Sequence, residues 1–230
     1  MNSPNSREAA SDGTQAASVG TPLPEKSLQY FKGIVGQIEI ALPQRSSRVL
    51  LLSSSTPREG TTEVTIGLGL TLAAAMGRRT VIIDCNVHHP DLHERFRTHE
   101  VGLGEYLTGE VPLEQALANT VVPNMHIMPV GRHLPSLVGF GREELVSFIG
   151  DLRKRFEYVL IDASPVGTYP DCAVLCDKVD AVVMVVRHGS TRREIVKRTK
   201  EIIVRAGGKI LGVVLNRRRY PIPEFLYRRL

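Results

Sequence analysis

From Arg48 onward the chain alternates short aliphatic runs with longer segments in which apolar residues recur every three or four positions. The runs Val49–Ser53, Thr80–Asp84, Met125–Pro129, Tyr158–Asp162, Ala181–Val186 and Ile210–Leu215 are mostly β-branched or aliphatic. They lack the polar alternation of a half-solvated strand, so they predict strands buried on both faces, as in parallel sheets. Between them, helical spacing predicts helices over Thr61–Met76, Leu113–Asn119, Arg142–Arg155, Pro170–Cys176 and Arg192–Ala206. Ahead of the first strand, Leu28, Phe31, Ile34, Val35, Ile38 and Leu42 mark a further helix over Lys26–Leu42. Strand–helix alternation of this kind predicts an α/β fold with a doubly wound, mostly parallel sheet. Residues 1–24 are rich in Ser, Ala, Gly, Thr and Pro, which predicts a disordered segment followed by one domain over 25–230.

Ligands of such sheets bind beyond the carboxyl ends of the strands. The chemistry is therefore expected just after Ser53, Asp84, Asp162 and Leu215. The first strand runs into Ser53-Ser54-Ser55-Thr56-Pro57-Arg58-Glu59-Gly60-Thr61-Thr62 and then a helix. Strand, turn and helix N-terminus form the setting of a phosphate loop, in which backbone N–H groups and the helix dipole favour an anion. Such loops end G-K-[ST]; Gly60 and the hydroxyl of Thr62 are in register, and Thr61 stands at the lysine position. Asp84 and Asp162 close the second and fourth strands, where carboxylates beside a phosphate loop can hold Mg²⁺ through water or accept a hydroxyl proton. Serine-rich turns and strand-terminal aspartates also serve as plain helix caps and turn residues, so each element alone is weak.

Composition narrows the class. Aromatic residues are 5% and Trp is absent, which disfavours aromatic platforms for nucleic acid, and no nucleic-acid partner is expected. No apolar run approaches membrane-spanning length and the N-terminus carries no apolar signal core, so a cytoplasmic protein is expected. Cys85, Cys172 and Cys176 fall in apolar or helical contexts and read as reduced thiols. The net charge of +5 is unevenly placed: residues 191–209 carry seven basic residues and two Glu, and residues 216–230 carry five Arg and one Glu. A basic end of this kind faces acidic headgroups, an acidic protein surface or nucleic acid, or is a solvated face, which is the preferred reading for 191–209.

Taken together, the motifs resemble the bacterial tyrosine autokinases of capsule and exopolysaccharide export, within the partitioning-type P-loop ATPases. The residues that carry the resemblance are Ser54-Ser55-Thr56-Pro57, Glu59-Gly60, Ile83-Asp84, Pro90, His93, Phe96, Ile161-Asp162, Pro165 and Asp171-Cys172. Gly102-Leu103 through Leu107-Thr108-Gly109 and Gly212 through Asn216 continue it in the same order. The resemblance implies a P-loop NTPase-like fold, with ATP held by Ser55, Thr56, Arg58, Gly60, Thr61, Thr62 and Asn216. It implies Mg²⁺ at Thr62, Asp84 and Asp162, with Asp84 and Asp162 as the catalytic carboxylates.

The departures fall on the chemistry. Thr61 replaces the loop Lys, Arg58 a loop Gly, Asn86 the second Asp of a D-x-D pair, and His88 or His89 the Arg of that segment. Gln29, Lys32 and Val35 stand where the family has its E-x-x-R-x-x-R oligomer motif, and the tyrosine-rich tail is reduced to Tyr220 and Tyr227. The expectation is a pseudokinase that binds ATP and Mg²⁺ weakly and requires neither. The resemblance implies a membrane polysaccharide co-polymerase as partner, self-association into a homo-oligomer, and a place peripheral to the inner membrane. The basic tail would add contact with an anionic membrane surface. Two alternatives stand beside this: an active autokinase with a non-standard loop, phosphorylated on Tyr220 or Tyr227, and a positioning ATPase, which would carry an extra early Lys where Ser54 and Ser55 stand.

Overall fold

A computed structural model describes residues 23–217, except 44, 133, 135 and 170. The predicted disordered segment, apart from Leu23 and Pro24, and the basic tail beyond Arg217 lie outside the described residues. Seven strands form one sheet in the order β3-β4-β2-β5-β1-β6-β7. They are β1 (Arg48–Ser54), β2 (Thr80–Cys85), β3 (Ala118–Asn119), β4 (Met125–Met128), β5 (Tyr158–Ala163), β6 (Ala181–Arg187) and β7 (Ile210–Asn216). All pairings are parallel except β3 with β4. The helices are α1 (Glu25–Ala41), α2 (Thr61–Leu70), α3 (Leu92–Phe96), α4 (Leu103–Leu107), α5 (Leu113–Ala116), α6 (Arg142–Arg155) and α7 (Arg193–Arg205).

The sheet separates two apolar layers, because successive strand residues point to opposite faces. On one side Leu50, Leu52, Ile82, Leu160 and Val183 pack with α1 and α2. On the other Leu51, Val81, Ile83, Val159 and Met184 pack with α6 and with Ile203 of α7. The central strands β1, β2 and β5 are almost wholly buried, the physical meaning of their uninterrupted aliphatic runs. Helices α1 and α2 approach closely at Gly67, where a methyl group would lie 2.2 Å from the Phe31 ring.

Three expectations are corrected. Leu113–Asn119 is not one helix: α5 ends at Ala116, Leu117 is extended (φ −90°, ψ 129°), and Ala118–Asn119 pair with β4. The predicted helix over Thr61–Met76 is α-helical only to Leu70 and closes in a π-helical turn over Thr71–Ala75. Pro170–Cys176 holds a 3₁₀ turn over Asp171–Leu175. Helices α3 and α4, each five residues, carry too few apolar positions to show a period.

Candidate nucleotide site

The carboxyl ends of β1, β2 and β5 meet at a cleft of about 310 Å³, at the lower end of the range for small-molecule sites. Its floor is the turn after β1. Gly60 caps α2 in the left-handed region (φ 88°), where a side chain would strike the Asn216 amide at 2.2 Å. The N-terminus of α2 therefore opens on the cleft with free backbone N–H groups, an anion-favouring arrangement. Arg58, also lining the cleft, holds a left-handed backbone (φ 66°). It is exposed, and among the described residues nothing pairs with its guanidinium.

The loop is braced from behind. Glu59 is buried, and its carboxylate accepts hydrogen bonds from Ser55 N–H (3.1 Å), the Thr56 hydroxyl (3.0 Å) and the Thr191 hydroxyl. Asn216 at the end of β7 donates its amide to the carbonyls of Glu59 (3.0 Å) and Gly60 (3.5 Å). Thr56 faces Glu59, and the buried Ser55 hydroxyl has no hydrogen-bond partner among the described residues. Glu59 and Thr191 were not among the predicted site residues. Glu59 belongs to the loop signature, but the Thr191 contact joins positions 132 apart, which no local pattern reveals.

Two carboxylates sit beneath the cleft. Asp84 and Asp162 are direct neighbours in the β2–β5 register, and both are buried. Asp162 accepts the Thr62 hydroxyl at 2.7 Å and the Thr65 hydroxyl at 3.4 Å. Asp84 accepts the N–H groups of Asn86 (3.0 Å), Asp91 (3.3 Å) and Leu92 (3.2 Å), so it ties down the turn that leads into α3. Burial pushes the Asp84 carboxyl up to about 6, against the pull of those three N–H groups. Burial, then the neighbouring Asp84, pushes Asp162 well above the ordinary carboxylate range. A loop lysine or a bound divalent cation would offset this desolvated pair.

Thr61, at the lysine position, is buried in the first turn of α2 and carries no charge. Asn86 donates its amide to the His89 carbonyl (3.0 Å) and accepts the Ser164 hydroxyl (3.0 Å), roles that use both ends of an amide. His88 leaves the cleft to meet Asp171 at 2.7 Å and stacks on Tyr169 with ring centroids 3.8 Å apart. Cations reach the rim from elsewhere: Arg95 pairs with Asp91 (2.7 Å) and Glu63 (3.7 Å), and Arg217 with Glu63 (3.8 Å). The structure thus gathers Ser55, Thr56, Arg58, Gly60, Thr61, Thr62, Asp84, Asp162 and Asn216 around one cleft or its supports. The backbone turn and the unpartnered Ser55 hydroxyl suit a phosphate, and Thr62, Asp84 and Asp162 suit a hard divalent cation. The missing piece is the buried counter-charge at position 61.

No family model matches the chain. Among curated proteins it is similar to a tyrosine-protein kinase CpsD of Streptococcus agalactiae, 28% identical over 196 residues that cover 84% of both chains. It is also similar to a putative tyrosine-protein kinase CapB of Staphylococcus aureus, 25% identical over 82% of this chain and 83% of the relative. Among solved structures, the chimerical protein CapA2B2 superposes with a TM-score of 0.76 at 27% identity, covering 84% of this chain and 85% of the other. MinD of Pyrococcus horikoshii, solved with Mg-ADP, superposes with a TM-score of 0.58 at 21% identity, over 80% of this chain and 76% of its own, and shares the fold. The fold is that of the P-loop ATPases of the partitioning type.

Proposed function

We infer that this chain, which belongs to the bacterial tyrosine autokinase family, is a subunit of an exopolysaccharide or capsule system whose kinase chemistry has largely been lost. It forms one domain from residue 25 onward, at the cytoplasmic face of the membrane, and regulates a membrane polysaccharide co-polymerase by docking on it. The observation that carries this reading is the uncharged Thr61 above the uncompensated Asp84–Asp162 pair. ATP–Mg²⁺ bound there would supply the phosphoryl group. The chain's own part is to seat phosphates on the α2 N-terminus and a metal beside Thr62, Asp84 and Asp162. Without a lysine, phosphate charge meets, among the described residues, backbone dipoles and the arginines that line the cleft, Arg58 and Arg95. Losing one charge-assisted hydrogen bond weakens binding by about ten- to a hundredfold. The loss in phosphoryl transfer exceeds that, because the same cation offsets transition-state charge.

The partner half of the reading is supported by the likeness to CapA2B2 and to relatives named as tyrosine-protein kinases CpsD and CapB. No described helix is long and apolar enough to cross a membrane. A second reading, an active autokinase, is favoured by one observation: Arg58 lines the cleft without a partner among the described residues and could serve as the loop cation. Calorimetry with ATP–Mg²⁺ on the wild type and Thr61→Lys separates the two. Weak wild-type binding that tightens about tenfold or more in the variant supports the lost-lysine reading. Tight wild-type binding with phosphotyrosine formation overturns it in favour of the kinase. Capture of the protein by the cytoplasmic segment of a co-polymerase tests the partner separately.

A further inference from the structure

Helix α7 and the edge strand β7 leave an unusual surface. In α7 only Thr199 and Ile203 are buried. Arg193, Lys197, Lys200 and Val204 follow one another at spacings of four, three and four, so they share one outward face. Among the described residues no carboxylate pairs with Arg193, Lys197, Arg198 or Lys200; the helix's own ion pair is the loose Arg205–Glu201 contact at 3.8 Å. Val204, one turn past Lys200 at the end of the stripe, is 55% exposed. Beside the helix, Val214 of β7 points into the apolar layer of α1 and α2. Its neighbours Val213 and Leu215 therefore point to the α7 side, where they stay 56% and 39% exposed. Ile195, near the start of α7, is exposed as well.

We propose that this α7–β7 face is a docking surface for an anionic lipid bilayer, with the cations of α7 at the headgroups and Val204, Val213 and Leu215 reaching the acyl boundary. The proposal concerns the folded domain itself and does not depend on nucleotide binding or on the co-polymerase. Charge complementarity selects the occupant. Residues 191–209 carry seven basic residues and two Glu, a net +5, which equals the charge of the whole chain, so all other residues together are neutral. The aliphatic residues then decide among anionic partners. A duplex would take up the cations through its phosphates but leave exposed Val and Leu in water, whereas a bilayer surface accepts both. The stripe spans about 16 Å along α7, enough to lie along a plane of headgroups. The acids Glu194 and Glu201 lie to one side of it, between the stripe and the second basic pair Arg198 and Arg205.

The test is sedimentation of the full chain with vesicles of phosphatidylglycerol mixed with phosphatidylcholine, against phosphatidylcholine alone, at low and high salt. Binding is expected to the anionic vesicles and to weaken with salt. The variant Arg193→Gln/Lys197→Gln/Lys200→Gln is expected to lower the partition by about tenfold or more. Val204→Ser should lower it several-fold without changing the salt dependence. All four positions are exposed, so an unchanged thermal midpoint certifies the fold of each variant. Full binding by the triple variant would overturn the proposal, as would absence of binding to anionic vesicles. Retention on duplex DNA with no vesicle binding would overturn it in favour of a nucleic-acid surface.

Discussion

Arg58 holds a left-handed backbone, φ 66°, at a position where its Cβ makes that conformation unfavourable by about 1–2 kcal/mol. The strain is conformational, so Arg58→Gly is expected to stabilise the fold by up to about 1 kcal/mol, the relief being partly offset by the freer unfolded chain. Arg58→Ala keeps the Cβ and should bring no such gain. Chemical denaturation of both variants checks this. Because both remove the guanidinium, an equal loss of ATP affinity in the two would assign the loop cation to Arg58. Asn86 behaves differently. The sequence marks it as a lost carboxylate, but its amide bridges His89 and Ser164. Asn86→Asp is therefore expected to cost about 1–2 kcal/mol, since it removes a donor and sets a third carboxylate beside Asp84 and Asp162. A variant as stable as the wild type would mean that the amide donor is dispensable.

At the scale of elements, the strands were legible because a strand buried on both faces must be aliphatic throughout; β1, β2, β5 and β6 each extend the expected run by only one or two residues. The segment after α5 was not legible. Leu113, Ala116 and Leu117 carry helical spacing, yet Ala118–Asn119 pair with β4, and a seven-residue window holds no trace of that partner. The same limit hid the supports of the phosphate turn, since Glu59 meets Thr191 and Asn216 only through the tertiary fold. Another such long-range support lies at the opposite end of β1. Asp180, its side chain 3% exposed, accepts both Arg153 nitrogens (2.8 and 2.9 Å), the Val49 N–H (2.8 Å) and Arg45 (2.9 Å). It fastens α6 and the entry to β6 onto the first strand. Asp180→Ala leaves these donors without their acceptor and is expected to cost about 3 kcal/mol in urea unfolding. Since the cleft lies at the other end of the strand, nucleotide affinity should stay unchanged, and a parallel loss of affinity would show that the two ends of β1 are coupled.

At the scale of the whole molecule, the buried pair under the cleft makes stability depend on pH and on metal. Asp84 has a folded value of about 6 against an ordinary 3.8, and Asp162 is raised too, so the folded state holds protons that the unfolded chain releases. A raised carboxyl contributes stability that is fully present below its unfolded value, near 4, and is lost as pH rises through its folded value, near 6. For the shift of about two units at Asp84 alone the loss is on the order of 3 kcal/mol, and the raised Asp162 adds to it in the same direction. Depressed carboxylates such as Glu157, held by the Arg79 N–H and the neighbouring arginines, act in the opposite sense at lower pH. The comparison that isolates the pair is therefore wild type against Asp162→Asn, whose amide keeps an acceptor for Thr62 and removes the like charge. The variant should unfold at higher urea than wild type above about pH 7, and the gap should close toward about pH 4. Mg²⁺ alone should mimic the substitution: it should raise the wild-type midpoint at the higher pH, fail to do so at the lower, and leave Asp162→Asn unmoved. A gap that does not vary with pH would mean that the two carboxyls titrate normally. A gap that varies as expected but ignores Mg²⁺ would mean that the pair has kept its burial and lost its metal, and that what remains of the site is the anion-binding end of α2.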